Sequence, residues 1–303
     1  MSSVGCRAVV VDDPVPGAGI AVRWLYPAAA GAVARAEAFG PFTVEVAMDA
    51  PVAAGAGVGA GSALSLVLVS HGTGSTPWLH RDLGLHLARA GFVVGLLQHP
   101  GNCRGDDGLA GTLDNLCNRP RHVRLVIDAA YADAALGPRL ARGVAVVGHS
   151  LGGYTALAVA GGEPSAFPWE VPLTKKDVPE PFSVDHDARV RALVLLAPAT
   201  PWFAAPGALA GVRVPVLMRT GSKDAHAEPL FARIVEQGLP AEARLDHVVV
   251  EGAGHFSFVS AYPPALASPA IPPSQDPEGF DRTAYLPVLF GDIARFLGAD
   301  PRP

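Results

Sequence analysis

Two hydrophobic patterns alternate along most of this chain. Apolar runs of the kind that predict strands covered on both faces occur at 64–70, 92–97 and 144–147, and we predict further strands at 190–196, 214–218 and 245–251. Apolar residues three to four positions apart predict helices at 79–90, 120–136, 154–161, 230–237 and 284–297. Strands that alternate with helices indicate an α/β protein, with a mostly parallel, doubly wound sheet of about eight strands and helices on both faces.

The first 50 residues follow a different pattern. Two short β-branched runs, 7–11 and 20–26, flank the turn signal Pro14-Val-Pro-Gly17 and predict an antiparallel hairpin at a sheet edge. Residues 42–48 alternate apolar and polar side chains, which predicts another edge strand.

Residues 161–187 interrupt the alternation of strands and helices. This segment is too long for an ordinary connection and too rich in proline for helices; its prolines are Pro164, Pro168, Pro172, Pro179 and Pro181. We expect a lid-like insertion that follows the helix after residue 150 and lies over the face where strands end. Residues 1–303 show no repeat and no linker, which predicts one domain that carries this insertion.

Composition excludes several classes of partner. Of the 303 residues, 50% are hydrophobic and 17% are charged, which suits a well-buried core. The net charge of −5 gives no electrostatic case for binding nucleic acid or an anionic membrane surface. No run reaches the roughly 18 apolar residues of a membrane span, and no basic segment precedes an apolar one near residue 1. These features predict a cytoplasmic protein.

Cysteines and acidic clusters do not indicate a metal or a cofactor. Cys6, Cys103 and Cys117 form no Cys-x-x-Cys pair; Cys103 and Cys117 could form a disulfide, but reduced thiols are favoured. The pairs and triplets at 106–107 and 185–187 contain metal-ligand residue types without a metal-site spacing. No Gly-rich phosphate loop of the Lys-Ser/Thr type is present.

The stretch Gly148-His149-Ser150-Leu151-Gly152 joins an apolar run to a segment of small residues. A strand, a very tight turn and a helix in this order would strain the Ser150 backbone and lift its hydroxyl clear of the sheet. Glycines at 148 and 152 fit a place where the strand and the helix come too close for side chains. We interpret Ser150 as a nucleophile; the alternative is a plain glycine–serine turn.

A serine hydroxyl needs a base to take its proton and a carboxylate to orient that base. Asp224 and His255 each follow a predicted strand, and the order Ser150, Asp224, His255 is that of the Gly-x-Ser-x-Gly hydrolases. We predict these three as the catalytic residues. Asp224 could instead cap the following helix, which leaves Glu228 and Asp246 as other carboxylates.

The chain has ten histidines, so the choice of His255 needs a reason. His255 lies late in the chain after a glycine-flanked loop at a strand end, where the base belongs. His149 is adjacent to the serine, so its side chain should point away from the hydroxyl and pack. We assign loop hydrogen bonds to His71 and His99, and the surface to His226 and His247.

The oxyanion of an acyl-transfer reaction needs two backbone donors. Leu151 N–H, at the start of the helix, is one candidate. Thr73 N–H, in the loop His71-Gly72-Thr73-Gly74 after the 64–70 strand, is the other, because its flanking glycines allow a close backbone approach. A plain glycine turn is the alternative for this loop.

Several aromatic residues fall near strand ends or in the insertion. As a group they could wall an apolar acyl pocket, and we predict Trp78, Trp169, Trp202 and Phe256 as its substrate-binding members, with Phe203 and Phe258 nearby. Taken singly, each is more typical of a core. Arg104, Arg119 and Arg121 could hold a substrate carboxylate, although solvated or helix-capping roles are favoured.

The sequence resembles the α/β-hydrolase superfamily, and more narrowly its bacterial branch of predicted dienelactone hydrolases and platelet-activating-factor acetylhydrolase-like enzymes. The motifs that carry the resemblance run through most of the chain: Ser70-His-Gly-Thr-Gly74, Ala90-Gly-Phe-Val-Val94, His99-Pro-Gly-Asn102, Asn118-Arg-Pro-Arg121, Gly148-His-Ser-Leu-Gly-Gly153, Arg189-Val-Arg-Ala-Leu193, Leu196-Ala-Pro198, Val214-Pro-Val-Leu217, Gly221-Ser-Lys-Asp224, Gly252-Ala-Gly-His-Phe-Ser-Phe258 and Gly279-Phe-Asp-Arg282. The resemblance implies the α/β-hydrolase fold, a Ser150–Asp224–His255 triad and hydrolysis of an ester. Dienelactone hydrolases use cysteine as nucleophile, whereas this chain has Ser150.

These observations predict a serine carboxylic-ester hydrolase (EC 3.1.1 type) that acts through an acyl-enzyme on small or medium acyl esters. We expect no cofactor, and a monomer or a homodimer. Three alternatives stay open: an amide-cleaving hydrolase or acyltransferase on the same triad, a polyester-degrading enzyme if the insertion leaves an open groove, and a non-catalytic binding protein on this scaffold.

Overall fold

The structure is a computed structural model that describes residues 3–14, 19–54, 63–171 and 178–298. Its strands are β1 Val4–Val11, β2 Ile20–Pro27, β3 Arg35–Phe39, β4 Phe42–Met48, β5 Leu64–Ser70, β6 Phe92–Leu97, β7 Leu140–His149, β8 Ser165–Ala166, β9 Glu180–Pro181, β10 Val190–Leu196, β11 Val216–Gly221 and β12 Leu245–Val250. Its helices are α1 Arg81–Arg89, α2 Leu113–Ala132, α3 Leu151–Val159, α4 Pro229–Gly238 and α5 Arg282–Gly298.

Ten strands of the described chain form one sheet, in the order β12-β11-β10-β7-β5-β6-β2-β1-β4-β3. The six strands from β12 to β6 run parallel, and β2 joins β6 in the antiparallel direction. The mostly parallel sheet is confirmed, with more strands than the expected eight. β3 was not predicted, because its sequence Arg-Ala-Glu-Ala-Phe contains no apolar run. It nevertheless forms a strand that pairs with β4 across a tight turn at Gly40.

The hairpin of β1 and β2 is antiparallel as predicted, but it does not lie at the edge of the sheet. β4 pairs with β1 in the parallel direction, and β3 lies outside β4. The sheet-edge predictions for the hairpin and for residues 42–48 were therefore wrong, because hydrophobic alternation along a strand shows which of its faces is buried and not how many strands pair beyond it.

Helices cover both faces of the sheet, as the alternation of strands and helices predicts. On one face, α2, α3 and α4 pack with the sheet around residues such as Leu66, Val126 and Leu157. On the other face, α1 and α5 pack around Leu83 and Leu289. Two apolar layers on opposite faces explain why the central strands are continuous apolar runs.

The carboxyl ends of the central strands meet at one level. Ser70, the last residue of β5, pairs with Gly148 of β7, and His149 of β7 pairs with Leu196 of β10. The loops that leave β5, β7, β10 and β11 therefore start side by side, which is where ligands bind in open parallel sheets.

Helix α2 begins seven residues earlier than the start predicted at Pro120, and Pro120 lies inside it. The Thr112 side chain caps the helix by accepting from Asn115 N–H at 3.2 Å. Pro120 has no N–H to donate to the carbonyl of Leu116. That carbonyl instead accepts the Tyr154 hydroxyl at 3.0 Å, so the helix continues through the proline.

Part of the lid prediction falls on residues 172–177, which lie outside the described residues. On either side of them, β8 and β9 form a short antiparallel pair. No helix in the described part of the chain is long and apolar enough to cross a membrane. Cys6, Cys103 and Cys117 are free thiols.

Candidate active site

Ser150 occupies a strained turn between β7 and α3. Its φ of 55° and ψ of −121° lie in a region that non-glycine residues rarely adopt. A β-carbon on Gly148 would lie 2.0 Å from the Gly152 carbonyl oxygen, and one on Gly152 would lie 2.0 Å from that of Ser70. The predicted strain and the predicted lack of room at both glycines are confirmed.

The strained backbone of Ser150 is held from the side by the loop that leaves β10. Ser150 N–H donates to the Leu196 carbonyl at 3.0 Å, and Ala199 N–H donates to the Ser150 carbonyl at 2.9 Å. These bonds fix the residue against the rigid centre of the sheet, which is how a fold maintains an unfavourable conformation.

Asp224 and His255 form a buried hydrogen-bonded pair. The Asp224 Oδ2 and Oδ1 atoms lie 2.9 and 3.1 Å from His255 Nδ1, and the two side chains are only 1% and 7% exposed. Oδ1 of Asp224 also accepts the N–H groups of His226 and Ala227, both at 2.8 Å. The structure thus brings together the acid and the histidine that the sequence pairs.

The surroundings of Asp224 favour its ionised form. Burial acts to raise the pKa of this carboxyl, but the His255 hydrogen bond and charge and the two N–H donors outweigh burial and lower the pKa below its ordinary value. The other candidate carboxylates lie elsewhere: Asp246 pairs with Arg219 at 3.1 Å, and the exposed Glu228 precedes α4.

His149 links the serine turn to the His255 loop. Its Nε2 donates to the His255 carbonyl at 2.9 Å, and the centres of the two rings are 5.0 Å apart. His149 packs as predicted, and burial lowers its pKa to about 3, so the ring is neutral. The sequence did not reveal its bond to the His255 backbone, because the two residues are 106 positions apart.

The Ser150 hydroxyl and the His255 ring do not hydrogen bond to each other in the described chain. Instead, Ser150 Oγ lies 3.5 Å from the position that a β-carbon on Gly72 would occupy. Bonds between a nucleophile and its base are often long or poorly aligned until substrate binds. A rotation of the serine side chain, which takes picoseconds to nanoseconds, changes where its hydroxyl points.

The loop after β5 lies directly beside Ser150. A β-carbon on Gly72 would lie 3.1 Å from Ser150 Cβ, which is tighter than side chains normally pack, so glycine suits this close approach. In the described chain the N–H groups of Thr73 and Leu151 donate to no protein atom. These are the two donors that the sequence assigns to an oxyanion.

A buried arginine supports this loop, which corrects the favoured solvated or capping role of Arg119. Arg119 of α2 is fully buried; it donates to the His71 carbonyl and, at 2.7 Å, to Asn102 Oδ1. Asn102 Nδ2 in turn donates to the Thr73 hydroxyl at 3.0 Å. Arg104 is exposed, and Arg121 donates to Asp13 at 2.8 Å.

Two of the predicted pocket aromatics, Trp169 and Trp202, lie in one cluster. Trp202 contacts the ring of Tyr154 on α3, with ring centres 5.1 Å apart, and Trp202 Nε1 donates to Glu170 at 2.9 Å. Phe167 stacks on Trp169 at 4.5 Å and contacts Trp202 at 6.3 Å.

The other two predicted aromatics, Phe256 and Trp78, lie outside the cluster of Trp169 and Trp202. Phe256 contacts the ring of His255, with ring centres 5.1 Å apart. Trp78 packs on Phe39, with ring centres 4.7 Å apart. Trp78 and Phe256 both pack against a small cluster of Phe42, Leu79 and Val259.

The sequence predicts His226 at the surface, and the structure shows that this surface position lies next to His255. His226 is exposed, and its ring centre lies 4.9 Å from that of His255 and 5.5 Å from that of Phe256. His247, also assigned to the surface, is mostly covered because its ring bonds to Thr220 Oγ1 at 2.9 Å and to Glu236 Oε1 at 2.7 Å.

No family model matches the sequence, and no curated protein matches it. Solved structures with similar folds include a ferulic acid esterase from Streptomyces cinnamoneus, at 19% identity and a TM-score of 0.69, over 97% of this chain and 89% of that one. A dienelactone hydrolase from Anabaena variabilis has 16% identity and a TM-score of 0.50, over 94% and 96% of the two chains.

A predicted CIB-like hydrolase from Thermoplasma acidophilum matches at 15% identity and a TM-score of 0.50, over 96% of this chain and 99% of that one. All three proteins have the α/β-hydrolase fold. The present chain therefore has the α/β-hydrolase fold, as its motifs imply.

Proposed function

We propose that this protein is a serine ester hydrolase in which Ser150, His255 and Asp224 form a catalytic triad. The observation that carries the proposal is the buried Asp224–His255 pair at the same edge of the sheet as a serine in a strained turn. Similar folds in a ferulic acid esterase and a dienelactone hydrolase support ester chemistry as the reaction class.

The proposed reaction is a two-step acyl transfer. His255 Nε2 takes the proton of the Ser150 hydroxyl as that oxygen attacks the ester carbonyl. Asp224 holds the proton of His255 on Nδ1 and stabilises the charged imidazolium. His255 then gives its proton to the leaving alcohol and activates a water that hydrolyses the acyl-enzyme.

The N–H groups of Leu151 and Thr73 are the proposed donors to the oxyanion. Both are free of protein acceptors in the described chain, and the Gly72 backbone already lies against Ser150. Donors fixed before the reaction stabilise the developing charge without reorganisation.

The aromatic groups suggest where an acyl or aryl group binds. We infer that Trp169 and Trp202 form one wall of the substrate site and that Phe256 lies beside the base, with Trp78 further along the same cluster. Burial raises the pKa of Glu170, which accepts from Trp202 and holds the indole in place. The free thiols support a reducing, cytoplasmic location, and we expect a monomer or a homodimer.

Covalent labelling with a fluorophosphonate tests the proposal. The wild type should be labelled at Ser150 and should hydrolyse p-nitrophenyl esters. Ser150→Ala should lose labelling and lower kcat by about 10⁴-fold or more, because the nucleophile is gone. Ser3→Ala, which removes a hydroxyl that donates to Ala32 far from the site, should behave as wild type. Labelling that persists in Ser150→Ala would assign the nucleophile to another residue.

A further inference from the structure

Five buried side chains form a continuous chain of hydrogen bonds behind the loop after β5. The successive distances are 3.3 Å from Arg119 Nη2 to Ser70 Oγ, 2.8 Å from there to His99 Nε2, 3.2 Å from His99 Nδ1 to His122 Nδ1, and 3.0 Å from His122 Nε2 to Asp13 Oδ2. None of the five residues is more than 4% exposed. Ser70 is fully buried, so the chain is not a second nucleophilic site.

With both imidazoles neutral, the protons of this chain can be arranged in only one way. The Asp13 carboxylate only accepts, so His122 Nε2 carries a proton and His122 Nδ1 accepts. His99 Nδ1 must then donate, so His99 Nε2 accepts from the Ser70 hydroxyl, and Ser70 Oγ accepts from Arg119. Every hydrogen bond therefore donates in the direction from the Arg119 cation to the Asp13 anion.

The environment keeps both imidazoles of the chain neutral, as this arrangement requires. Burial lowers the pKa of His122 to about 4, although Asp13 acts in the opposite direction. Burial and the Arg119 charge hold the pKa of His99 well below its usual range. A neutral imidazole has one donor and one acceptor nitrogen, so each ring transmits the direction of the bond before it.

The chain contacts the proposed oxyanion loop directly at His71 and reaches Thr73 through Asn102. Arg119 donates to the His71 carbonyl, and His99 N–H donates to His71 Nε2 at 3.2 Å. Arg119 also donates to Asn102, which binds the Thr73 hydroxyl. Thr73, whose N–H is a proposed oxyanion donor, is thus held in place by Asn102, which is itself held by Arg119 of the chain.

We propose that Asp13, His122, His99, Ser70 and Arg119 are positioning residues that hold the oxyanion loop in its reactive geometry. This proposal rests on the proposed function, because the loop stabilises an oxyanion only if Ser150 attacks an ester. An oxyanion donor binds the transition state more strongly than the ester, so loosening the loop lowers kcat and leaves KM nearly unchanged.

The proton arrangement has a spectroscopic test that needs no enzyme activity. Nitrogen-15 NMR of histidine-labelled protein at pH 7 should show His99 neutral with its proton on Nδ1 and His122 neutral with its proton on Nε2. Ser70→Ala and Asp13→Asn, each of which removes or alters one partner, should assign the signals. A charged ring, or the opposite tautomer at either histidine, overturns the proposal.

Kinetics test the positioning role. Ser70→Ala should lower kcat per fluorophosphonate-titrated site about tenfold, less than the loss of a whole oxyanion donor, with KM within twofold. Asp13→Asn, at the far end of the chain, should lower it about threefold. Ser260→Ala removes an equally buried serine hydroxyl that accepts from Asp82 N–H, and should leave kcat per site unchanged.

The possible failures can be told apart. If both chain variants lose thermal stability or titratable sites but keep the wild-type kcat per site, the chain is only structural and the proposal is wrong. If the wild type is neither labelled at Ser150 nor hydrolyses esters, the proposed function fails, and the NMR result alone then decides whether the directed chain exists.

Discussion

At the scale of single residues, the two carboxylate oxygens of Asp224 have different partners. Oδ1 accepts two backbone N–H groups, while Oδ2 lies 2.9 Å from His255 Nδ1. In Asp224→Asn the amide oxygen must stay with the backbone donors, so the amide nitrogen faces His255 Nδ1. Two donors cannot face each other, so His255 moves its proton to Nε2 and can no longer act as base.

Asp224→Asn should therefore lower kcat about 10⁴-fold without unfolding the protein. The measurement is kcat on a p-nitrophenyl ester together with a thermal melt. The matched control is Asp246→Asn, which changes the alternative candidate for the catalytic acid, a carboxylate that pairs with Arg219. The kcat of this variant should stay within twofold of wild type. A decrease below tenfold in Asp224→Asn would contradict the assignment of the acid.

The residues that the sequence could identify are those with a local signal. Ser150 lies between two glycines, and Asp224 and His255 each follow a strand in the order that hydrolases use. Arg119, His99 and their partners have no such signal. The hydrogen bonds of Arg119, His99 and His122 join residues between 17 and 109 positions apart, and the fold alone determines which of them meet.

At the scale of elements, the packing of α3 against β5 depends on Gly152. A β-carbon there would lie 2.0 Å from the Ser70 carbonyl oxygen, and neither backbone can move without breaking the sheet or the helix. Gly152→Ala should lower the free energy of unfolding by at least about 3 kcal/mol, more than ordinary overpacking, and should abolish labelling of Ser150.

Gly291→Ala in α5 is the matched control for that substitution. Here a β-carbon would come no closer than 3.6 Å to the Arg295 side chain, so alanine fits. Alanine is the better helix former, and the free energy of unfolding should rise by about 0.5–1 kcal/mol. Chemical denaturation of both variants gives the comparison, and similar losses in the two would show that the contact at Gly152 is not the cause.

The boundaries of elements were predicted best where the hydrophobic signal was strongest. β5, β6 and β10 match the predicted runs because each is mostly apolar, interrupted only by Ser65 and Ser70 in β5 and by Arg191 in β10. β3 was missed because it has no such run, and α2 was shortened because proline normally begins or ends a helix. In both cases a tertiary contact, with β4 or with Tyr154, outweighs the local preference.

The insertion gives a prediction about substrate preference. Trp169 is 67% exposed and stacks face to face on Phe167, so it can contribute apolar surface to a ligand at little cost to stability. Trp169→Ala should raise KM for aryl or long-chain esters about tenfold, equivalent to about 1.4 kcal/mol, and leave the KM for an acetate ester unchanged. Val288→Ala, at an exposed apolar position on α5, is the control. Equal KM values for all esters in Trp169→Ala would place the acyl group elsewhere.

At the scale of the whole molecule, five buried histidines make stability depend on pH. Burial lowers the pKa of each; the residues are His71, His80, His99, His122 and His149. Below about pH 6.5 the unfolded chain binds protons at these positions and the folded chain does not, so stability falls as the pH falls. Between pH 7.5 and 5.5 each histidine should cost about 1.4 kcal/mol, and the five together about 7 kcal/mol, a large part of a typical total of about 5–15 kcal/mol.

His80 allows this effect to be measured for one residue. It is 1% exposed, neither ring nitrogen has a hydrogen-bond partner in the described chain, and its ring lies 5.7 Å from that of His149. Phenylalanine keeps a flat ring there and removes two unsatisfied polar atoms and one site of proton uptake. His80→Phe should therefore raise the free energy of unfolding at both pH values, and by about 1.4 kcal/mol more at pH 5.5 than at pH 7.5. Urea denaturation at the two pH values measures the difference, and an equal gain at both would mean that His80 does not take up a proton when the chain unfolds.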